Sequence, residues 1–471
     1  MASTYLAADF GGGSGRIMAG TLCDGKLKLE EVYRFSNRQV KLGSHVYWDF
    51  LALFEDLKTG LCLAAQRGYN VKGIGIDTWG VDFGLIDSEG NLIGNPVCYR
   101  DSRTEGMPEK VFAKIDEKKY YASAGIQVMP INTIFQLYSL ARVDAVQLLT
   151  GDCLLFMPDL FSYYLTGIAN NEYCIASTSG LLDARRRDWN EKLIEDLNIP
   201  DHLFAPIVFP GDIRGKLLPE IAKETGLGEV DVIAVGSHDT ASAVAAVPSS
   251  EPCKAFLSSG TWSLLGAEVD EPILTEEARK GGFTNEGGVG GKIRFLQNIT
   301  GLWILQRLMA EWKARGEEPG YDELIGNATA SGIRSVIDVD DVTFTNPVCM
   351  EKAIVDYCRS HELQVPETKG EFARCVIESL ANRYKKGIEA MNRCLPAPVR
   401  QLHIIGGGCQ NKLLNQLTAN ALGIPIYAGP VEATAIGNIL VQAKAKGDIF
   451  SWRELKEIVI DSVQPQVYMP E

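Results

Sequence analysis

Apolar and polar positions follow two periods along this chain, and each change of period marks an element. Residues 5–8 are an apolar run that ends in Asp9, a turn carries Gly11, Gly12, Gly13 and Gly15, and a second apolar run leaves it. This order predicts strand, glycine turn, strand. Asp24-Gly25 is a two-residue turn signal, and Leu27 and Leu29 alternate with Lys26, Lys28 and Glu30, which predicts a third antiparallel strand. From Asp49 the spacing is helical, with Leu53, Leu57, Leu61 and Ala64 recurring up to Gly68. Residues 71–87 read as a buried strand, a polar turn, and a strand ending at a turn over 87–91.

Residues 107–205 are mostly helical in pattern, with loop signals at 169–180 and 185–188 and a helix opened by Pro158 and Asp159 and stopped by Gly167. A short strand over 230–235 runs through Gly236-Ser237-His238-Asp239-Thr240 into an apolar helix. The opening pattern then recurs, with strand, small-residue turn and strand over 254–266. A glycine-rich strand pair (281–297) and a helix over 300–314 follow. A long amphipathic helix (371–395), a strand (401–405), three glycines (Gly406, Gly407, Gly408) and a helix from Asn411 come next. A strand over 426–430, helices over 432–446 and 452–461, and a polar tail complete the chain. Both halves begin with hairpins and pass to helices, an internal duplication of architecture rather than of residues.

At 471 residues the chain exceeds one compact core, so two domains are expected, with a third still open. A net charge of −14 argues against nucleic-acid or anionic-membrane partners, so an anionic ligand needs local neutralisation. No signal segment or bilayer-length apolar run is seen. The 11 cysteines form no CxxC pair, which points to free thiols in a reducing, cytoplasmic compartment. Cys358 and Cys375 are candidates to meet in space. Five histidines without HExxH leave no zinc motif.

The first glycine turn joins two strands, unlike a dinucleotide fingerprint or a Walker loop, which needs a helix after the glycines. Such a turn offers backbone N–H groups to an anion, with Asp9 suited to magnesium; an ordinary glycine hairpin is the alternative. Asp77, Thr78, Trp79, Gly80 and Asp82 crowd one short turn, as a polyhydroxy ligand requires, or else cap turns. Tyr99, Arg100, Asp101 and Arg103 read as a helix cap with surface salt bridges unless a ligand claims them. Asp239 or Thr240 is either a reactive group at a strand tip or the cap of the next helix, and the two roles are compatible. Gly406–Gly408 form a surface for a flat ring or ribose, or a tight turn.

Taken in order, ADFGGGSGR, GIDTWGVDFGLID, YRDSRT, MPDLFSYYLTG, GSHDTASAV, SSGTWSLLG, FLQNITGLWILQ and IIGGGCQNKLLNQL resemble the FGGY carbohydrate kinases from about residue 5 to residue 460. The chain departs from the family's usual first loop, carrying Gly12 where threonine is common. The resemblance implies an α/β fold of two actin-like (ribonuclease H-like) ATPase domains with mixed sheets flanking an interdomain cleft. It puts the sugar site, first phosphate loop and catalytic base in 1–245 and the nucleotide site in 246–471. It implies ATP and Mg2+ as cofactors and L-rhamnulose as the ketose acceptor, phosphorylated at its 1-hydroxyl, in a monomer or small homo-oligomer. By resemblance Asp239 is the general base and Asp9 faces the metal. Gly12, Gly13, Ser14, Gly15, Arg16, Thr261, Gln306 and Gly407 contact ATP, while Gly80, His238, Asp239, Thr240 and Asn298 contact the sugar. Trp79, Asp82, Arg100 and Asp101 receive no role. An L-fuculose or D-xylulose kinase, a non-kinase actin-like ATPase and a sugar-responsive regulator are the competing readings.

Overall fold

The computed structural model describes residues 3–23 and 25–471. Asp24, half of the predicted Asp24-Gly25 turn, lies outside them. The chain divides into two compact units: unit 1 comprises Met1–Pro248, Glu268–Phe295 and Ala433–Ser462, and unit 2 comprises Ser249–Ala267, Leu296–Glu432 and Val463–Glu471.

Unit 1 is built on six strands: β1 (Thr4–Phe10), β2 (Ser14–Cys23), β3 (Lys26–Ser36), β4 (Val71–Thr78), β5 (Ile213–Lys216) and β6 (Asp231–Ile233). They lie in the order β5-β6-β4-β1-β2-β3. β1, β4 and β6 run parallel, and β2, β3 and β5 antiparallel to their neighbours. All seven residues of β1 are buried, because both of its faces are covered. Helices α1 (Phe50–Gln66) and α2 (Met157–Thr166) supply Leu53, Leu57, Leu61 and Phe161 to the core around Leu6, Ala8, Phe10, Ile74 and Ile76. A second core gathers Phe83, Ile134, Phe135, Leu154, Phe156 and Ile175. A seven-residue helix, α3 (Asp239–Ala245), follows β6.

Unit 2 repeats the plan. Its strands β7 (Lys254–Ser259), β8 (Trp262–Val269), β9 (Ile293–Thr300), β10 (Gln401–Ile405), β11 (Ile426–Ala428) and β12 (Gln466–Tyr468) lie in the order β9-β8-β7-β10-β11-β12, with the end of β8 from Glu268 and the start of β9 up to Phe295 counted in unit 1. β7, β10 and β11 are parallel, as β1, β4 and β6 are in unit 1. Each sheet therefore joins an antiparallel hairpin, β1–β2 or β7–β8, to parallel strands that arrive through helices, the duplication expected from the pattern; the second sheet carries a further edge strand, Thr284–Gly287, beyond β9. Helices α4 (Trp303–Ala314), α5 (Lys369–Cys394) and α6 (Lys412–Leu422) accompany unit 2, and α7 (Ala433–Ala445) belongs to unit 1. A capping box joins Thr368 and Glu371 at the start of α5, and Tyr384, Leu380 and Met391 bury its apolar face as predicted.

Four local readings change. The loop expected over 169–180 holds a buried one-turn helix, Tyr173–Ala176, because the Glu172 carboxylate caps it by accepting from the Cys174 and Ile175 amides. Asp101 caps the short helix Ser102–Thr104 as read, accepting from the Arg103 amide at 2.9 Å, but it is buried rather than on the surface, also accepting from the Val46 amide at 2.8 Å and lying 3.1 Å from His45 Nδ1. The polar tail adds strand β12 antiparallel to β11. A hairpin over Gln39–Leu42 and His45–Trp48 stands where the pattern was merely polar. All 11 cysteines are thiols, with Cys358 and Cys375 hydrogen-bonded to each other. Among the described residues no helix is long and apolar enough to cross a membrane.

Candidate active site

The tip of β1 gathers charge in unit 1. Asp9 faces Arg16 across the β1–β2 register and Asp77 across the β1–β4 register. Arg16 Nη2 lies 2.9 Å from Asp9 Oδ2. Asp77 is fully buried; Asn438 Nδ2 donates to its Oδ2 at 2.5 Å, while its Oδ1 has no partner. Burial raises the Asp77 carboxyl well above its ordinary range, and the charges of Asp9 and Asp239 add to this. A cation beside Asp77 would offset the charges of Asp9 and Asp239, although the ligand atoms of the three carboxylates do not all lie within 4.8 Å of one another.

Asp239 comes to the cluster through β6. Thr78, at the end of β4, bridges to His238, and the Thr78 amide donates to Ser237 O at 2.9 Å. His238, not Asp239 or Thr240, holds the cap position of α3, and its side chain does not cap. Asp239 is the first helical residue instead, accepting through Oδ1 from the Thr240 amide and hydroxyl. A third of its side chain stays exposed. Surrounding protein pushes its carboxyl above the usual value, as does Asp9, while His238 and Thr240 act in the opposite sense. The net direction is opposite to that expected from a helix N-terminus alone, and burial is its first cause.

The sugar-side candidates of unit 1 converge. A side chain at Gly80 would stand 3.4 Å from His238 Nε2 and 3.3 Å from the Thr178 methyl, so only glycine leaves that space open. The next residue, Val81, has φ of +68°, a strained conformation for a β-branched residue. Thr178 Oγ1 accepts from its amide at 3.1 Å, and Thr133 Oγ1 donates to its carbonyl at 2.7 Å. Asp82 braces the same turn by accepting from the indoles of Trp48, 2.6 Å, and Trp79, 3.0 Å, and from the Tyr99 amide, 3.1 Å. Burial lifts its carboxyl to about 6 against these bonds. Trp79 and Asp82, which the sequence left without a role, are both buried and brace this turn. Thr178 and Thr133 were missed, since lone threonines in helical surroundings carry no pattern.

Two of the glycine turns share one feature. Gly12, Gly13 and Ser14 are exposed, and a side chain at Gly12 or Gly13 would meet nothing within 4 Å. Neither has positive φ, so neither packing nor backbone conformation requires glycine there. By contrast, Gly15 is required because Phe35 lies where its side chain would be. In unit 2, Gly406 has φ of +81° and Gly408 packs on Ser259, but the exposed Gly407 between them again meets open space. Glycines the fold does not need leave bare backbone for a ligand. The Gly260–Trp262 turn is stitched to the entry of α4: Leu302 N donates to Gly260 O at 2.9 Å, and Thr261 Oγ1 donates to Gln306 Oε1 at 3.0 Å. Asn298 lies half-buried on β9, so it belongs to unit 2, whereas Gly80, His238 and Thr240 belong to unit 1.

Glu172 links this site to stability. Its carboxylate also accepts from the Ser237 amide at 3.1 Å, and burial raises it from 4.5 to about 7. Burial lifts Asp159, paired with Arg214 at 2.8 Å, from 3.8 to about 6. A carboxyl whose folded value is raised binds protons more tightly in the folded state, so its contribution is complete below the unfolded value and lost as the pH climbs through the folded one. Urea unfolding is therefore expected to show stability declining between about pH 4 and about pH 7, with Glu172→Gln flattening the slope.

Sequence profiles of the FGGY family of carbohydrate kinases match residues 5–246 with the N-terminal domain and 255–446 with the C-terminal domain. The chain is 46% identical over 472 aligned residues to a rhamnulokinase of Bacteroides thetaiotaomicron, covering 100% of this chain and 96% of the relative. It is 38% identical to a rhamnulokinase of Halalkalibacterium halodurans, covering 98% of each. Its fold matches a ligand-bound xylulose kinase of Lactobacillus acidophilus with a TM-score of 0.82 at 15% identity, over 100% of this chain and 94% of that one.

Proposed function

The chain belongs to the FGGY family of carbohydrate kinases, and from that premise we infer that it transfers the γ-phosphoryl group of ATP to the 1-hydroxyl of L-rhamnulose. The products are L-rhamnulose 1-phosphate and ADP, a step of L-rhamnose catabolism in the cytoplasm. The acceptor rests on the relatives similar over their whole length; the chemistry rests on one observation, that Asp239 Oδ1 lies 3.5 Å from His238 Nε2, which borders the space left open at Gly80, within electrostatic reach of Asp9 and Asp77.

In this reading residues 1–245 supply the sugar side and the base, and residues 246–471 supply the nucleotide side. The unpartnered Asp77 Oδ1 and the charges of Asp9 and Asp239 that bear on it suit a divalent cation, with Asp9 as the residue that faces it. Magnesium, when bound, offsets charge on the triphosphate. Gly12, Gly13, Ser14 and Gly15 present main-chain N–H groups to phosphate, and Arg16 adds a cation held in place by Asp9. Thr261, Gln306 and Gly407 serve the nucleotide. Gly80, His238, Thr240 and Asn298 orient the ketose so that its 1-hydroxyl meets Asp239, which accepts the proton as the oxygen bonds to phosphorus. A weak base suffices, because phosphoryl transfer depends mainly on alignment and charge.

A panel of L-rhamnulose, L-fuculose and D-xylulose with an ADP-coupled readout tests the acceptor. L-Rhamnulose is expected to give the highest kcat/KM by at least about tenfold, a difference of about 1.4 kcal/mol in transition-state binding. A higher value for either other ketose would reassign the substrate, and equal ADP release without sugar would leave an ATPase.

A further inference from the structure

We propose that Arg294 is a positioning residue that fixes His238 as its Nε2–H tautomer, so that the ring presents a hydrogen-bond donor to the acceptor sugar beside Asp239. The proposal rests on the ketose-kinase reading above. Arg294 is fully buried in unit 1. Its Nε donates to Gly287 O at 2.7 Å, and its Nη2 donates to His238 Nδ1 at 3.1 Å. A guanidinium has no acceptor and does not lose its proton, so the ring nitrogen it faces is bare. The single proton of the neutral imidazole then sits on Nε2.

Nε2 points away from Arg294 toward the candidate site. It lies 3.5 Å from Asp239 Oδ1, at the outer limit of a hydrogen bond, and 3.4 Å from the position a side chain at Gly80 would take. The donor therefore faces the space that glycine keeps open. Glu286 competes for the other end of the ring. Its Oε2 is 3.2 Å from Nδ1 and would favour a proton there. The same oxygen is 3.0 Å from Arg294 Nη2. Burial raises the Glu286 carboxyl, but the Arg294 charge is the first of the causes that outweigh it and hold the group below its ordinary value, so the carboxylate balances the guanidinium. The Arg294 contact meets hydrogen-bond geometry at Nδ1, whereas Glu286 Oε2 has no hydrogen-bond partner despite its 3.2 Å separation, and the tautomer is assigned on that geometry. A sugar oxygen before Nε2 thus meets a donor; with the other tautomer it would meet a lone pair, and a carbonyl or ether oxygen would be rejected.

The direct test is a two-bond proton–nitrogen correlation spectrum of the whole sugar-free protein carrying 15N-histidine. With five histidines in the chain, His238→Gln identifies the ring by loss of its signals. The expected result at pH 8 is a pyridine-type Nδ1 and a pyrrole-type Nε2; a pyrrole-type Nδ1 would overturn the assignment. The kinetic test is Arg294→Lys, expected to raise the ketose KM at least about tenfold with the ATP KM unchanged. In a His238→Gln background, where an amide donates without a tautomer to choose, the same substitution is expected to change the ketose KM less than about twofold. An undiminished effect in that background would show Arg294 acting by another route and refute the proposal. If Arg294→Lys does not fold, the wild-type spectrum decides. If the wild type phosphorylates no ketose, the functional reading fails, and the spectrum still tests the tautomer.

Discussion

Asp239→Asn is expected to keep the fold and the binding of both substrates while losing turnover by about a hundred- to ten-thousand-fold. Asparagine preserves the shape at the start of α3 and still accepts from the Thr240 amide through its side-chain oxygen. It cannot take the proton of the attacking hydroxyl, so the loss falls on kcat. Because surrounding protein and Asp9 raise the Asp239 carboxyl, the acid limb of the wild-type pH profile of kcat/KM should lie above the ordinary aspartate range, with activity falling as the pH drops through it. Steady-state kinetics and calorimetric binding check both parts. A variant with near-normal kcat would remove Asp239 from the chemistry.

Gly437→Ala is expected to have the largest effect on the folded state. Gly437 lies on α7 directly against the Ser242 carbonyl of α3, and an added methyl would fall well inside contact distance of that backbone oxygen. A flexible side chain could swing away, but a carbonyl cannot, so α3 and α7 must separate. Overpacking of this kind costs about 1–3 kcal/mol and sometimes more. The separation would also disturb the chemistry. On α7, Asn438 holds Asp77 at 2.5 Å, and Gln442 donates to Leu6 O of β1 at 2.9 Å. On α3, Asp239 would move relative to both. The expected outcome is a lowered urea midpoint together with a fall in kcat, whereas Gly12→Ala, with open space at its Cβ, leaves the midpoint unchanged. Equal midpoints for the two variants would contradict the packing argument.

How much the chain revealed before folding depended on how local each signal is. The β1–β2 turn, the β7–β8 turn and the Gly406–Gly408 turn were legible because strand period, glycine and strand or helix period follow within a few residues. His238 and Asp239 were legible as polar residues interrupting an apolar strand–helix passage. Asp77 stood in the polar turn, but its distinction, a buried carboxylate facing Asp9, arises from the parallel register of β1 and β4, which are far apart in the chain. Arg294 and Glu286 were invisible for the same reason: they sit in a glycine-rich strand pair and reach His238 only through the fold. The buried turn at Tyr173–Ala176 was read as loop because its stabiliser, the Glu172 carboxylate, looks like any surface glutamate in sequence. The strain at Val81 likewise has no sequence signature, since valine is the last residue expected at positive φ.

The central claim, that carboxylates at the tips of β1, β4 and α3 direct a ketose 1-hydroxyl onto the terminal phosphate of ATP, is tested most directly by identifying the product. Purified protein, Mg2+, ATP and L-rhamnulose should give, by phosphorus and carbon nuclear magnetic resonance, one phosphomonoester on C1 for each ADP formed, and Asp239→Asn should give neither at a comparable rate. Inorganic phosphate in place of the ester, or an ester on another carbon, would contradict it.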